Sequence, residues 1–137
     1  MKPKTFDGWS IEPLRPHVLR IRWVGPYTNA TSAGVSAYVE EYRAELGGDA
    51  GIWVVIEIAE DASLEKSARK TLLEAGKKQP FRGTAFIGGP KRLRVVAELI
   101  ANAVSLIVKN ASPVKFVDNE EEALAWLEEQ MKLEHGQ

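Results

Sequence analysis

The chain has no cysteine and only two histidines. That excludes disulfides, thiolate metal sites and a cysteine nucleophile, and it leaves no zinc-ligand spacing. The opening MKPKTFDGWS is basic but lacks an apolar stretch, so it does not read as a secretory signal. No run of about 18 apolar residues occurs, so no segment reads as a membrane span. A GKS/T phosphate loop and a GxGxxG turn are both missing, which argues against nucleotide hydrolysis. His17 stands beside Pro16 in a turn and His135 near the C-terminus, neither placed as a base or a ligand. The expectation is a cytoplasmic binding domain with no catalytic residues, no metal and no cofactor.

What is present fits one small globular unit. The 137 residues suffice for a single domain with its own core. That domain is expected over residues 9–133, with flexible ends at 1–8 and 134–137. The net charge of −1 hides a segregation. From Lys66 to Arg94 there are nine basic residues and one acidic, and from Asp118 to Glu134 seven acidic and one basic. A basic middle suits an anionic partner, although two solvated faces that balance each other are the simpler explanation. Nucleic acid is not expected, because the basic stretch lacks interleaved aromatics on which bases would stack.

Periodicity gives the elements. Residues 9–14 and 17–24 read as two strands, the second with Leu19, Ile21 and Trp23 on one side and Arg20 and Arg22 on the other. A helix is expected over 29–46, with Val35, Tyr38, Val39, Tyr42 and Leu46 on one stripe and Thr28, Asn29 or Thr31 as cap. Residues 52–58 form the strongest strand, with Ile52, Val54, Ile56 and Ile58 as an aliphatic face. A second helix is expected over 62–78, capped by Asp61 or Ser63 and stopped before Pro80. A strand at 82–87 turns through Gly88 and Gly89 into a third helix, with Pro90 near its first position. In that helix 11 of the 14 residues from Val95 to Val108 are apolar. So wide an apolar girth leaves three readings open: wedging between helices, contact with another subunit, or lining a pocket. A strand at 114–117 and a helix capped by Asp118 or Asn119 close the chain.

The order is ββαβαβαβα: an α/β fold with about five strands in a mostly parallel mixed sheet and four helices. Helical crossovers imply parallel neighbours and place the helices on one face. Arg20, Arg22, Trp53, Glu57 and Lys115 would then lie on an open second face.

Three segments, HVLRIRWVGPYT, IWVVIEIAE and VKFVDNEEEALAWLEE, resemble in order the STAS domain, in particular its SpoIIAA-like branch, sometimes labelled STAS/SEC14. The likeness covers about residues 14–129. It implies a non-enzymatic, bacterial protein–protein interaction module with a regulatory role in the manner of an anti-sigma-factor antagonist. The STAS family's phosphoacceptor lies at the start of the second helix in a D-S-S-G motif. Here that stretch is Glu65-Lys66-Ser67-Ala68, so Ser67 matches the acceptor and the three others depart, with Ser63 as a second candidate. The alternative function is a carrier or sensor of a small hydrophobic or anionic lipid-like ligand, since the SEC14 lipid-transfer fold is similar.

The residues themselves point to one further place. Loops after parallel strands gather at one edge of the sheet. There Gly88 and Gly89 open a helix beside Lys91 and Arg92, with Lys66 on the neighbouring loop. Cations and free helix N–H groups together suit an anion or an acidic partner, and a plain strand-to-helix turn is the simpler reading. The third helix or the open sheet face is expected to support a homodimer.

Overall fold

A computed structural model describes residues 1–48 and 51–135. Its central sheet has six strands in the order β1(Lys4–Phe6), β2(Trp9–Arg15), β3(Val18–Trp23), β5(Trp53–Ile58), β7(Gly83–Gly88) and β8(Val114–Val117). The first two pairings are antiparallel and the remaining three parallel. A second, two-stranded sheet joins β4(Pro26–Tyr27) to β6(Ser63–Leu64). The helices are α1(Asn29–Glu45), α2(Arg69–Lys77), α3(Lys91–Ile107) and α4(Glu120–His135). The α/β class and the mostly parallel sheet agree with the sequence reading.

Four details differ. Residues 1–8, expected outside the domain, supply β1, which pairs with β2 from Lys4↔Ile11 to Phe6↔Trp9. At the other end Glu134 and His135 continue α4, and residues 136–137 lie outside the described residues. The second helix starts seven residues later than expected. Ser63 and Leu64 are drawn instead into pairing with β4, and a 3-10 turn at Lys66–Ala68 precedes α2. Pro90 is the N-cap of α3, with extended backbone, rather than its first helical residue.

Alternation along the strands builds a core on each face. Leu19, Ile21 and Trp23 of β3 and Val54 and Ile58 of β5 turn to one side. There they meet Tyr38, Val39 and Tyr42 of α1, all buried. Thr28 starts that helix with a reciprocal capping box, its hydroxyl accepting from the Thr31 N–H and the Thr31 hydroxyl accepting from the Thr28 N–H.

The second face was expected to be open, and it is not. Val18, Trp53, Val55, Ala85 and Val117 meet Ala123 and Leu127 of α4 there. The reason is topological. β8 is the last strand, so α4 has no further strand to reach and returns across the uncovered side. The charged residues on that side become its fastenings. Arg20 pairs with Glu57 at 3.0 Å and with Glu120 at 3.3 Å, Arg15 pairs with Glu128 at 2.9 Å, and Arg82 pairs with Glu134.

The two apolar sides of the molecule therefore differ in what they hold up. Leu127 is 1% exposed beneath α4, whereas Leu106 of α3 is 88% exposed. Leu127→Ala is expected to lower unfolding free energy by about 2–5 kcal/mol. Leu106→Ala should stay within about 0.5 kcal/mol of the parent. Urea denaturation of the two variants checks the contrast.

Candidate functional site

The helical layer over the first face does not close on the sheet. α3 leans on α2, turning Leu93, Ala97 and Val104 inward. The inward positions of this pair are small: Ala75 and Gly76 on α2, Ala97 and Ala101 on α3. Side chains of that size do not span the gap, and a cavity of about 770 Å³ remains between helices and sheet. Protein interiors are otherwise close-packed, and ligand sites have volumes of roughly 300–1,000 Å³. The floor is Ile21, Ile56 and Phe86, one residue from each of three adjacent strands, and the walls are Val35 and Val39 of α1 and Leu72 of α2.

The cavity runs along the strands, and its two ends differ in chemistry. At the C-terminal end of the parallel strands, Trp9, Trp23 and Tyr27 form an aromatic triangle with centroid separations of 5.4, 5.8 and 5.7 Å. All three are buried. Their positions follow from the fold. Trp9 and Trp23 sit on the same side of paired strands, and the β4–β6 pairing pins Tyr27 beside them. The Trp23 Nε1–H donates to the Gly25 carbonyl at 3.1 Å, and the Ser63 N–H donates to the same oxygen at 2.9 Å. Burial pushes the Tyr27 hydroxyl above its ordinary pKa, against a smaller opposing effect of its hydrogen bond with Ser32. Trp9 Nε1 is buried without a hydrogen-bond partner among the described residues.

The opposite end is polar. Glu40 and Arg43 come from the last turns of α1, Glu74 and Lys78 from the end of α2 and its cap. Arg43 is committed on both sides, donating to Glu40 Oε1 at 2.7 Å and to the Pro80 carbonyl at 2.8 Å. Gln79 donates to the Gly76 carbonyl at 2.8 Å and accepts from the Ser112 N–H.

The residues singled out from the sequence stand at the loop edge, outside this cavity. Gly88 is opposite Ile58 across the β5–β7 pairing, so the loops after the two strands leave side by side as expected. Gly88 and Gly89 both have positive φ, at 71° and 90°. A Cβ on Gly89 would come within 2.5 Å of Ile58 Cγ2, so glycine is required there by backbone and by packing. Lys66, Lys91 and Arg92 are exposed and make no ion pair with any described residue. No hydrogen bond or ion pair among the described residues joins 61–67 to 88–92. Ser67 is exposed in the 3-10 turn beside Lys66. Ser63 lies in β6 and caps no helix, contrary to expectation. Among the described residues no three His, Asp or Glu side chains gather as a metal-holding group.

A family model described as SpoIIAA-like matches residues 18–128. The chain belongs to the SpoIIAA-like family. The resemblance read from its three segments is thereby established. Among solved structures, the chain is similar to an uncharacterized protein with a SpoIIAA-like fold from Shewanella loihica PV-4. The two share 21% identity with a TM-score of 0.59, over 90% of this chain and 97% of the other. At that identity the likeness is one of fold. No curated protein matches the chain. No helix among the described residues is long and apolar enough to cross a membrane.

The cavity itself had no motif in the sequence. The signals that would have found it are separated by most of the chain. They are aromatics at 9, 23 and 27, close to one strand edge, and small residues at 75, 76, 97 and 101 on successive helices.

Proposed function

We propose that this SpoIIAA-like domain is a non-enzymatic binding module whose cavity carries or senses a small hydrophobic, lipid-like molecule. The observation that supports it is the cavity of about 770 Å³, floored by three adjacent strands and lined mainly by apolar side chains. A void of that size forgoes many dispersion contacts, which an apolar occupant restores. Its charged residues lie at one end and pair chiefly with neighbours, as scaffolding rather than as a nucleophile with its base.

The protein extracted gently from its host is expected to carry a bound small molecule in native mass spectrometry, and the emptied protein to take up Nile red. Ala101→Phe, which places a ring in the cavity, should abolish both while leaving the circular dichroism spectrum unchanged. A bare mass together with no dye uptake by the parent protein would overturn the carrier reading.

A second reading, contact with protein, is favoured by the outer side of α3. Val95, Leu99 and Leu106 are 49, 63 and 88% exposed, and their spacing of four and seven residues sets them on one stripe. This reading makes α3 the surface of a homodimer. Light scattering at high micromolar concentration should give twice the 15.2 kDa chain mass, and Leu99→Glu with Leu106→Glu should return the monomer. A monomeric parent sinks this reading.

The loop edge belongs to the same reading as a site for an acidic protein segment. Lys66, Lys91 and Arg92 form no ion pair among the described residues, and Gly88 and Gly89 bring the start of α3 to that edge. Ser67 stands among Lys66, Arg69 and Lys70, where a phosphate would find cations. Polyglutamate binding should weaken with salt, and it should weaken further in Lys91→Glu/Arg92→Glu and in Ser67→Asp. Equal affinity in all three proteins at low salt would place the partner elsewhere.

A further inference from the structure

One pattern on α3 is not accounted for by the cavity or by the exposed apolar row. Between Val95 and Val108 the only polar residues are Glu98, Asn102 and Ser105, spaced by four and three positions and hence on one stripe. A surface helix ordinarily turns its polar residues to open water. Here Val95, Leu99 and Leu106 take such positions, and the three polar residues line an open groove of about 430 Å³ between α3 and β8. Val114 and Phe116 of β8 form its other wall.

The groove adjoins the cavity. Ala101, Ala111, Ser112 and Val114 line both, and none is larger than valine. A thin partition of small side chains therefore separates an apolar interior from a polar exterior. A molecule whose chain lies along Ile21, Ile56 and Phe86 can bring its head out past this partition.

The groove's chemistry selects the head. The side chains of Glu98 and Asn102 are exposed and make no hydrogen bond or ion pair among the described residues. The Ser105 hydroxyl donates to the Asn102 carbonyl at 2.8 Å, and its lone pairs stay open. Among the described residues no cation lines the groove. Arg94, one turn before Glu98, lies over the Phe116 ring, 5.6 Å from its centroid. A carboxylate, an amide oxygen and a hydroxyl thus face the groove with one amide NH₂ as the main donor. An acid head would meet Glu98 as a like charge, whereas a hydroxyl or ammonium head finds acceptors along one helix face. At the ends of α1 and α2 the charges are mostly engaged, Arg43 by Glu40 and the Pro80 carbonyl, and Glu74 by Lys77. Lys78 is the lining cation there without an ion pair among the described residues.

We propose that the cavity's occupant is a single-chain amphiphile whose head donates hydrogen bonds, an alcohol or amine rather than an acid, and that Glu98 and Asn102 bind this head in the groove between α3 and β8. The inference rests on the carrier reading and adds the class of head group and the place where it emerges.

The test uses the full chain, Nile red displacement, and decylamine, decanol and decanoate as probes of equal chain length, with butylamine as a head almost without a tail. Decylamine is expected to bind about tenfold more tightly than decanoate, the scale of one near charge attracting rather than repelling at a protein surface, with decanol between them. Butylamine should bind far more weakly than decylamine. Glu98 is exposed, so its variants should fold as the parent does. Glu98→Gln should bring decylamine down to decanol, and Glu98→Lys should make decanoate the tightest of the three. In the parent, decylamine and decanol should shift the side-chain amide signals of Asn102 in nitrogen-15 NMR, assigned by their loss in Asn102→Asp. Decanoate binding as tightly as decylamine would overturn the inference, moving the head to Lys78, and leave the carrier reading intact. A ranking unchanged by Glu98→Lys, or Asn102 signals that stay still, would do the same. Butylamine equal to decylamine would also overturn it, because the groove would then act without the cavity. So would Nile red that binds and is displaced by none of the probes. If neither the dye nor any probe binds, both readings fall together.

Discussion

The structure depends on the direction in which the sheet grows. From β3 each strand is laid down on the same side of the last, through β5 and β7 to β8. Right-handed crossovers repeated in one direction place every connecting helix on the same face. Three helices therefore share one side, and the fourth falls to the other because no strand follows it. Each face then needs its own apolar set, and β5 supplies both: Val54 and Ile58 to the three-helix side, Trp53 and Val55 to α4.

Within that constraint the two layers are closed differently. α4 is held by Ala123 and Leu127 over the sheet and by Arg15, Arg20 and Arg82 around them. On the other side α1 is packed through Tyr38, Val39 and Tyr42. α3 is set against α2 through small residues, so its apolar girth is divided between a cavity within and an exposed row without. The three explanations that its composition left open are thus not exclusive. One side of the helix lines a space, and the other remains available to a partner.

Most of the fold was legible because it is written in short-range patterns. The alternation of Leu19, Ile21 and Trp23, the aliphatic face of residues 52–58 and the stripe on α1 are each contained within one element. What was not legible is non-local. Lys4–Phe6 has no apolar run and becomes a strand only because β2 offers its edge. Ser63 and Leu64 carry the signals of a helix start, and pairing with Pro26 and Tyr27 overrides them. The second face looked solvated because Arg20 and Glu57 stand on it, yet those charges neutralise one another and bind α4. The loop-edge residues could be singled out because glycines beside lysines form a local signal. The aromatic triangle was not, because Trp9 and Tyr27 meet only once the strands are paired.

An open sheet also has two borders, where unpaired backbone groups can recruit strands from other molecules. Here the borders are β1 and β8, of three and four residues. Each carries an exposed lysine, Lys4 or Lys115. A foreign strand would find only a brief ladder and a buried-charge penalty on either side. The sheet thus resists edge-to-edge growth into aggregates.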